Sequence, residues 1–328
     1  MQRIALIESL VRLSDHFSYE KLPKEVEKRA LQDNPWFTPY YLAQAIEGIR
    51  FWFDKEKLES LFLSFAPVEK SIELGIITAG NIPLVGVHDV ICGVLIGHRV
   101  QVKASRQDFA LMEWFIDLWS EELEYINSTV KLTSSLQRIE FLIGTGSNNT
   151  SRYFDSLFKD IPKLIRKNRF SIALINRNLH DFEWEGLCED MLLFNGLGCR
   201  NVSNLLLVGG NSIDPLFKKM AEYPILHIHP HYLERILFES TRKGVMNQSF
   251  HSTPLGIFQQ SNSVKSTEMG VFNVIKVSTE EEALRILQQN KDQIQVVVGE
   301  EVEFGQAQRP EIDDFADGIN TTKILSSL

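Results

Sequence analysis

Strand-like apolar runs alternate with helix-period segments along most of this chain, and that alternation restricts its fold more than any other feature. The runs SIELGIITAG, HRVQVKAS, RIEFLIGTG, SIALI, NLLLVG, FNVIKV and QIQVVVG read as strands. Between them VGVHDVICGVLIG, FALMEWFIDLWSEELEYI, the stretch from Asn149 to Leu157, WEGLCEDMLLF and the stretch from Glu280 to Gln289 read as helices. Strand, crossover helix and strand in succession make a parallel sheet, so the predicted fold class is α/β. Residues 1 to 65 differ: Leu6, Leu10 and Leu13, then Leu58, Leu61 and Phe65, recur at three- and four-residue steps and predict a helical preface.

With 328 residues, 44% hydrophobic and 23% charged, the chain is long enough for two domains with sizeable cores. Its 34 basic and 43 acidic residues leave a net charge of -9, which argues against a broad nucleic-acid surface. Cys92, Cys188 and Cys199 form no disulfide framework and suit a reducing, cytoplasmic setting. No run approaches the roughly 20 apolar residues of a membrane span, and the start MQRIALIESLVRLSDHF reads as an amphipathic helix with acidic residues rather than a targeting segment. One local departure is Lys159–Arg169, with three lysines and two arginines against Asp160. It is either a solvated helix face or a landing site for the phosphates of a nucleotide or of coenzyme A.

Four junctions carry residue types suited to chemistry. In FNGLGCRN, Gly196 and Gly198 are expected to break a helix arriving from Asp190–Phe194 and to present Cys199, with Arg200 favouring the nucleophilic thiolate. The alternative for Cys199 is a small buried apolar residue. In TAGNIPL, Asn81 can aim an amide donor at a developing oxyanion. In VKASR, Lys103, Ser105 and Arg106 follow a strand, and GTGSNNT, with Gly146 and Ser147, opens a helix whose backbone N–H groups suit a pyrophosphate. Each of these three also reads as plain turn chemistry. His227, His229 and His231 alternate, so on a strand they would share one side as a metal site or a polar strand edge, although Pro230 interrupts them. Asp313, Asp314 and Asp317 lack calcium-loop spacing and read as turn and cap residues; no metal is expected.

In order and spacing, these segments resemble the aldehyde dehydrogenase superfamily, and more closely the LuxC-type acyl-CoA reductases. The resemblance runs from AGNIPLVGVHDV and VQVKASRQD through GTGSNNTSRYF, RKNRFSIALI and FNGLGCRNVSNLLLV to MGVFNVIKVSTEEEAL and FGQAQRPEIDDFADGINT, about residues 30 to 320. It implies an aldehyde-dehydrogenase-like α/β fold of two parallel-sheet, Rossmann-like domains behind the helical preface. The implied division is a helical segment 1–65, a cofactor-binding domain 66–170, a catalytic domain 171–304, and a tail 305–328 returning to the cofactor domain.

The resemblance also implies roles. Cys199 falls on the nucleophile, Asn81 on the side-chain donor of the oxyanion hole, and Lys103 on the lysine that holds the adenosine ribose. Ser105, Arg106, Gly146 and Ser147 fall among the cofactor contacts, and Glu268 lies near a glutamate that touches the nicotinamide ribose. Hydrolytic members carry a water-activating glutamate where this chain has Ile165-Arg166-Lys167-Asn168-Arg169, and loss of a general base costs about 10²- to 10⁴-fold. Where NAD-preferring members often have a glutamate, this chain has Arg106, which can pair with a 2'-phosphate. The implied activity is reduction of an acyl-CoA to the aldehyde through an S-acyl cysteine, with NADPH (NADP) as cofactor and coenzyme A as part of the substrate. The donor would be an acyl-CoA or an acyl-enzyme, the chain a homo-oligomer, and an acyl-activating enzyme a possible partner. Two other readings stay open: an NAD(P)-dependent aldehyde dehydrogenase, and a non-catalytic partner subunit of a fatty-acid reductase complex.

Overall fold

The computed structural model describes residues 2–146, 154 and 156–328. It divides into two compact units, Met1–Asn168 with Glu311–Leu328, and Arg169–Pro310. Residues 305–310 thus belong to the second unit, and the chain re-enters the first at Glu311.

The first unit begins with four helices, α1 (Gln2–Leu13), α2 (Lys24–Asp33), α3 (Pro39–Arg50) and α4 (Lys55–Phe62). Its sheet follows: β1 (Glu73–Ile77), α5 (Val87–Ile96), β2 (Arg99–Lys103), α6 (Phe109–Glu122), α7 (Tyr125–Thr129), β3 (Val130–Leu132), β4 (Phe141–Thr145) and β5 (Lys163–Arg166). All five strands are parallel in the order β3-β2-β1-β4-β5. Chain order reverses direction between β1 and β4, the topological switch point where open α/β sheets leave a crevice at the carboxyl ends of their strands. Ile77 stands opposite Lys103 on one side and Gly144 on the other, so the three central strands end level.

The helical preface is continuous with this sheet's core. Leu6, Leu10, Leu13 and Phe17 pack in one apolar cluster with Leu74, Ile76, Val100 and Trp119, and Trp119 Nε1 donates to the buried Ser9 hydroxyl at 2.8 Å. Arg3 collects the carbonyls left over at two helix ends, donating to Phe62 O (2.9 Å), Leu95 O (2.7 Å) and Ile96 O (3.0 Å). A Cβ on Gly86 would lie 2.1 Å from Thr78 Cγ2, so glycine lets α5 start directly against the exit of β1.

The strand β5 corrects the expectation of a helix face for the cation run Lys159–Arg169, and it takes Lys163 and Arg166 out of any phosphate-binding surface there. Lys163 donates to Phe158 O at 2.9 Å, and Arg166 is buried. The Arg166 guanidinium meets Asp89 Oδ1 at 2.5 Å, Thr321 Oγ1 at 2.9 Å and Ala316 O at 2.9 Å. It therefore ties β5 to α5 and to the tail, which ends in α12 (Thr321–Ser326).

The second unit contains β6 (Phe170–Ile175), α8 (Asp181–Leu192), β7 (Val202–Val208), α9 (Asp214–Glu222), α10 (Pro230–Val245), β8 (His251–Thr253), β9 (Gly256–Gln260), β10 (Val271–Val277), α11 (Glu280–Asn290) and β11 (Ile294–Val298). Its sheet has the order β11-β6-β7-β10-β9-β8, parallel except for β8 at the edge. Strands β6 and β7 are buried almost throughout, as expected of central parallel strands covered on both faces. No described helix is long and apolar enough to cross a membrane.

Both charges of the Asp89–Arg166 pair are removed from water, so deleting one partner strands the other. Arg166→Met is expected to destabilise the protein by about 3–5 kcal/mol. Urea unfolding followed by tryptophan fluorescence checks this, since four of the five tryptophans, Trp36, Trp52, Trp114 and Trp119, lie in the first unit.

Candidate active site

In the second unit, Cys199 sits on a turn at the amino end of β7. The helix α8 ends at Leu192, and three successive residues, Phe194 (φ 55°), Asn195 (φ 55°) and Gly196 (φ 68°), adopt left-handed backbone. Glycine accounts for only one of these. The other two cost about 1–2 kcal/mol each relative to ordinary backbone, so something must hold them. Polar side chains do so. Asn195 Oδ1 accepts the backbone N–H of His229 at 3.1 Å. The buried Asn201 accepts from Gly198 N–H at 2.8 Å and donates to Leu193 O at 2.8 Å and Asp190 O at 3.2 Å. Ser171 Oγ donates to the Cys199 carbonyl at 2.9 Å. The turn is pinned on both sides of the thiol while the cysteine itself stays exposed.

Sequence reading missed this support. Asp190 and Asn195 carry a faint signal, being polar residues that flank the apolar stretch MLLF, where a charge or an amide is costly unless bonded; Asn201 carries none. Cys92 and Cys188 are inside helices and buried; burial pushes the Cys92 thiol well above its usual range and that of Cys188 up to about 12. Neither is available as a thiolate near neutrality.

Glu268 shares the sheet end of Cys199. Asn204 of β7 and Asn273 of β10 stand in register, and Cys199 and Glu268 each precede that pair by five residues. Glu268 accepts from Arg242 at 3.3 Å. The three histidines lie on no strand, contrary to the alternation argument. His227 ends a short 3-10 turn, and His229 caps α10 by accepting His231 N–H on Nδ1 at 3.2 Å. His231 Nδ1 lies 2.9 Å from Glu234 Oε2. Among the described residues no three His, Cys, Asp or Glu side chains gather as a metal ion requires.

In the first unit, Lys103 ends β2, and Asn81, Ser105, Arg106 and Gly146 follow the carboxyl ends of β1, β2 and β4. The Asn81 loop is anchored by the buried Asn34, whose Nδ2 donates to Gly80 O at 2.7 Å while its Oδ1 accepts Trp36 N–H at 2.9 Å. Gly80 presses on the next loop: a Cβ there would lie 2.5 Å from Ser105 Oγ. Ser105 N–H points at Thr78 Oγ1 at 3.4 Å, so the loops after β1 and β2 brace one another. Asp108 holds the far end of the first loop, both carboxylate oxygens lying 3.0 Å from Leu84 N–H at a residue with φ 60°. The Arg106 side chain is 92% exposed, its Nε 4.0 Å from Asp33 Oδ1, and Lys103 is exposed at its strand end. Ser147, and with it Asn148, Asn149 and Thr150, lies outside the described residues. Two exposed cations and two tightly apposed loops at a switch point can hold an anionic group such as a phosphate.

No protein-family model matches the chain, and no curated protein does. Solved structures do. An NAD-dependent benzaldehyde dehydrogenase from Corynebacterium glutamicum is 13% identical, with a TM-score of 0.63, and the match covers 87% of this chain and 73% of that one. An aldehyde dehydrogenase from Bacillus cereus, solved as its NAD+ complex, is 15% identical with a TM-score of 0.65 over 86% and 68%. An oxidoreductase from Marinobacter aquaeolei is 12% identical with a TM-score of 0.65 over 87% and 70%. The fold is that of the aldehyde dehydrogenases.

The contrast among the three thiols is directly measurable. Under native conditions iodoacetamide is expected to label Cys199 and to leave Cys92 and Cys188 unmodified, as read by peptide mass spectrometry, and unfolding should expose all three.

Proposed function

We propose that this protein is a LuxC-type acyl-CoA reductase that reduces an acyl thioester to the aldehyde through an S-acyl intermediate on Cys199. The observation that carries the reading is the setting of Cys199, an exposed thiol on a hydrogen-bonded turn just after three left-handed residues, while the other two cysteines are buried. Strained backbone held in place by surrounding bonds is a recurrent property of reacting groups.

In this reading the Cys199 thiolate adds to the thioester carbonyl, the oxyanion is held by the Asn81 amide and the Cys199 backbone N–H, and the intermediate collapses with loss of coenzyme A as thiol. When bound, NADPH supplies the hydride. The overall balance is acyl-CoA, NADPH and a proton giving aldehyde, coenzyme A and NADP+. Lys103 would bond the adenosine ribose, Gly146 and Ser147 would meet the pyrophosphate, and Arg106 would pair with the 2'-phosphate. Release of the acyl group as free acid needs a base for water. The run Ile165–Arg169 offers no carboxylate, and the carboxylate that Arg166 meets, Asp89, is buried in their ion pair. Coenzyme A exchange is a thiol-for-thiol step and does not need that base.

Incubation with acetyl-, octanoyl- and hexadecanoyl-coenzyme A in the absence of NADPH should leave an acyl adduct on Cys199, seen by intact mass, and Cys199→Ala should abolish both the adduct and NADPH oxidation. Rapid free-acid formation from aldehyde and NADP+ without coenzyme A would overturn the reductase reading in favour of a hydrolytic aldehyde dehydrogenase.

Asn81→Ala is expected to slow turnover about 10²- to 10³-fold, the usual loss for one oxyanion donor. A loss under about threefold would leave Asn81 as a turn residue. In the same assay Arg106→Glu should shift preference from NADPH toward NADH, because it removes a cation and adds a like charge beside the 2'-phosphate. An unchanged ratio would place that phosphate elsewhere.

A further inference from the structure

We propose that Asp190 is a positioning residue for the nucleophile, tying the segment Phe304–Gln308 to the turn that carries Cys199 and so setting the rate of thiol addition. The inference rests on the reading of Cys199 as the nucleophile and assigns it a support that lies far away in the chain.

Asp190 is 1% exposed, two residues from the end of α8. Its Oδ2 accepts Gly305 N–H at 2.7 Å and its Oδ1 accepts Ala307 N–H at 2.9 Å. The same residue's carbonyl accepts Asn201 Nδ2 at 3.2 Å and lies 3.5 Å from Gln308 Nε2. Asn201 in turn fixes Gly198 N–H, next to the cysteine. On the other side of the thiol, Arg200 Nη1 donates to Ala307 O at 3.2 Å. The segment therefore reaches the turn by two routes, one through Asp190 and Asn201 and one through Arg200.

The close approach of segment and helix is built into the sequence. A Cβ on Gly186 would lie 2.7 Å from Phe304 O, and Gly305, at φ 88°, has its own missing Cβ position 3.0 Å from Gly186 Cα. Two glycines face one another so that two backbone N–H groups can reach one carboxylate. Among the described residues no cation is bonded to that carboxylate; burial pushes its carboxyl up to about 7, against the opposing pull of the two N–H bonds, with Glu189 adding a smaller upward push. A group this costly to bury is weak support for stability alone, and its geometry serves the turn.

The test uses the full chain and two variants. Asp190→Asn keeps shape but turns an N–H₂ toward one of the two N–H donors. Gly186→Ala leaves Asp190 and the turn chemically intact, pushes the segment away, and improves intrinsic helix propensity, so it stays informative even where Asp190→Asn does not fold. Each is expected to slow acylation of Cys199 by octanoyl-coenzyme A about 10- to 100-fold, the loss typical of a small misplacement. Iodoacetamide alkylation of Cys199 should stay within about twofold, because it needs the thiol and not the backbone geometry. Unchanged acylation, or a parallel loss of acylation and alkylation, overturns the proposal. If the parent protein takes no acyl group, the reductase reading fails, and hydrogen exchange then decides the inference. Faster exchange at residues 196–201 in both variants supports the tether, and unchanged exchange there overturns it.

Discussion

The buried pairing of Asp89 with Arg166 is the constraint on which the first unit depends. Strand β5 lies at the edge of its sheet and carries three cations in or beside it, a composition that would leave an edge strand solvated. One of those cations is instead drawn inward to the helix that follows β1, and the returning tail supplies the remaining acceptors. Such a pair adds little net stability over an apolar replacement, but it defines which elements must come together, because any other arrangement strands a charge. The same commitment turns the Arg166 side chain away from solvent and into the core of the unit.

The turn around Cys199 follows a different logic. Its left-handed residues raise its energy, and the compensation comes from side chains that bond backbone groups: Asn201 to Gly198 and Leu193, Asn195 to His229, Ser171 to Cys199 itself. Bonds of this kind fix direction as well as distance, whereas apolar packing fixes mainly volume. A thiol can then stay exposed without its backbone drifting. The loops after β1 and β2 use the alternative device, steric apposition, with Gly80 against Ser105 and Gly86 against Thr78.

Much of the fold was legible because buried parallel strands are rich in apolar residues and therefore announce themselves; β1, β4 and β11 lie within runs read from the sequence, and β6, β7 and β10 begin only one or two residues before theirs. Strand β5 was not, since Lys163 and Arg166 look like a solvated surface until Asp89 is placed beside them. Nor was α10, where Leu237 and Phe238 are exposed while Glu239 and Lys243 are buried, an inversion that defeats periodicity. The histidines misled for a related reason: alternation suggests a strand, but Pro230 starts a helix and His229 caps it. At the candidate site the types of residue at Asn81, Lys103, Arg106 and Cys199 could be read directly. Their supports, Asn34, Asp190 and Asn201, could not, because each acts on backbone groups that sequence does not locate.

The route of the chain through its two units has a consequence for biosynthesis. The second unit is an uninterrupted stretch, 169–310, set between the two pieces of the first. At ribosomal speeds, about 5–20 residues per second, the intervening stretch takes roughly 7–30 s to emerge. Throughout that interval α5 lacks α12, so the site that Leu325 will fill is empty, His98 has yet to meet the Leu325 carbonyl, and Arg166 lacks Thr321. The unit that starts first is closed last, and an apolar helix at its centre waits for the tail.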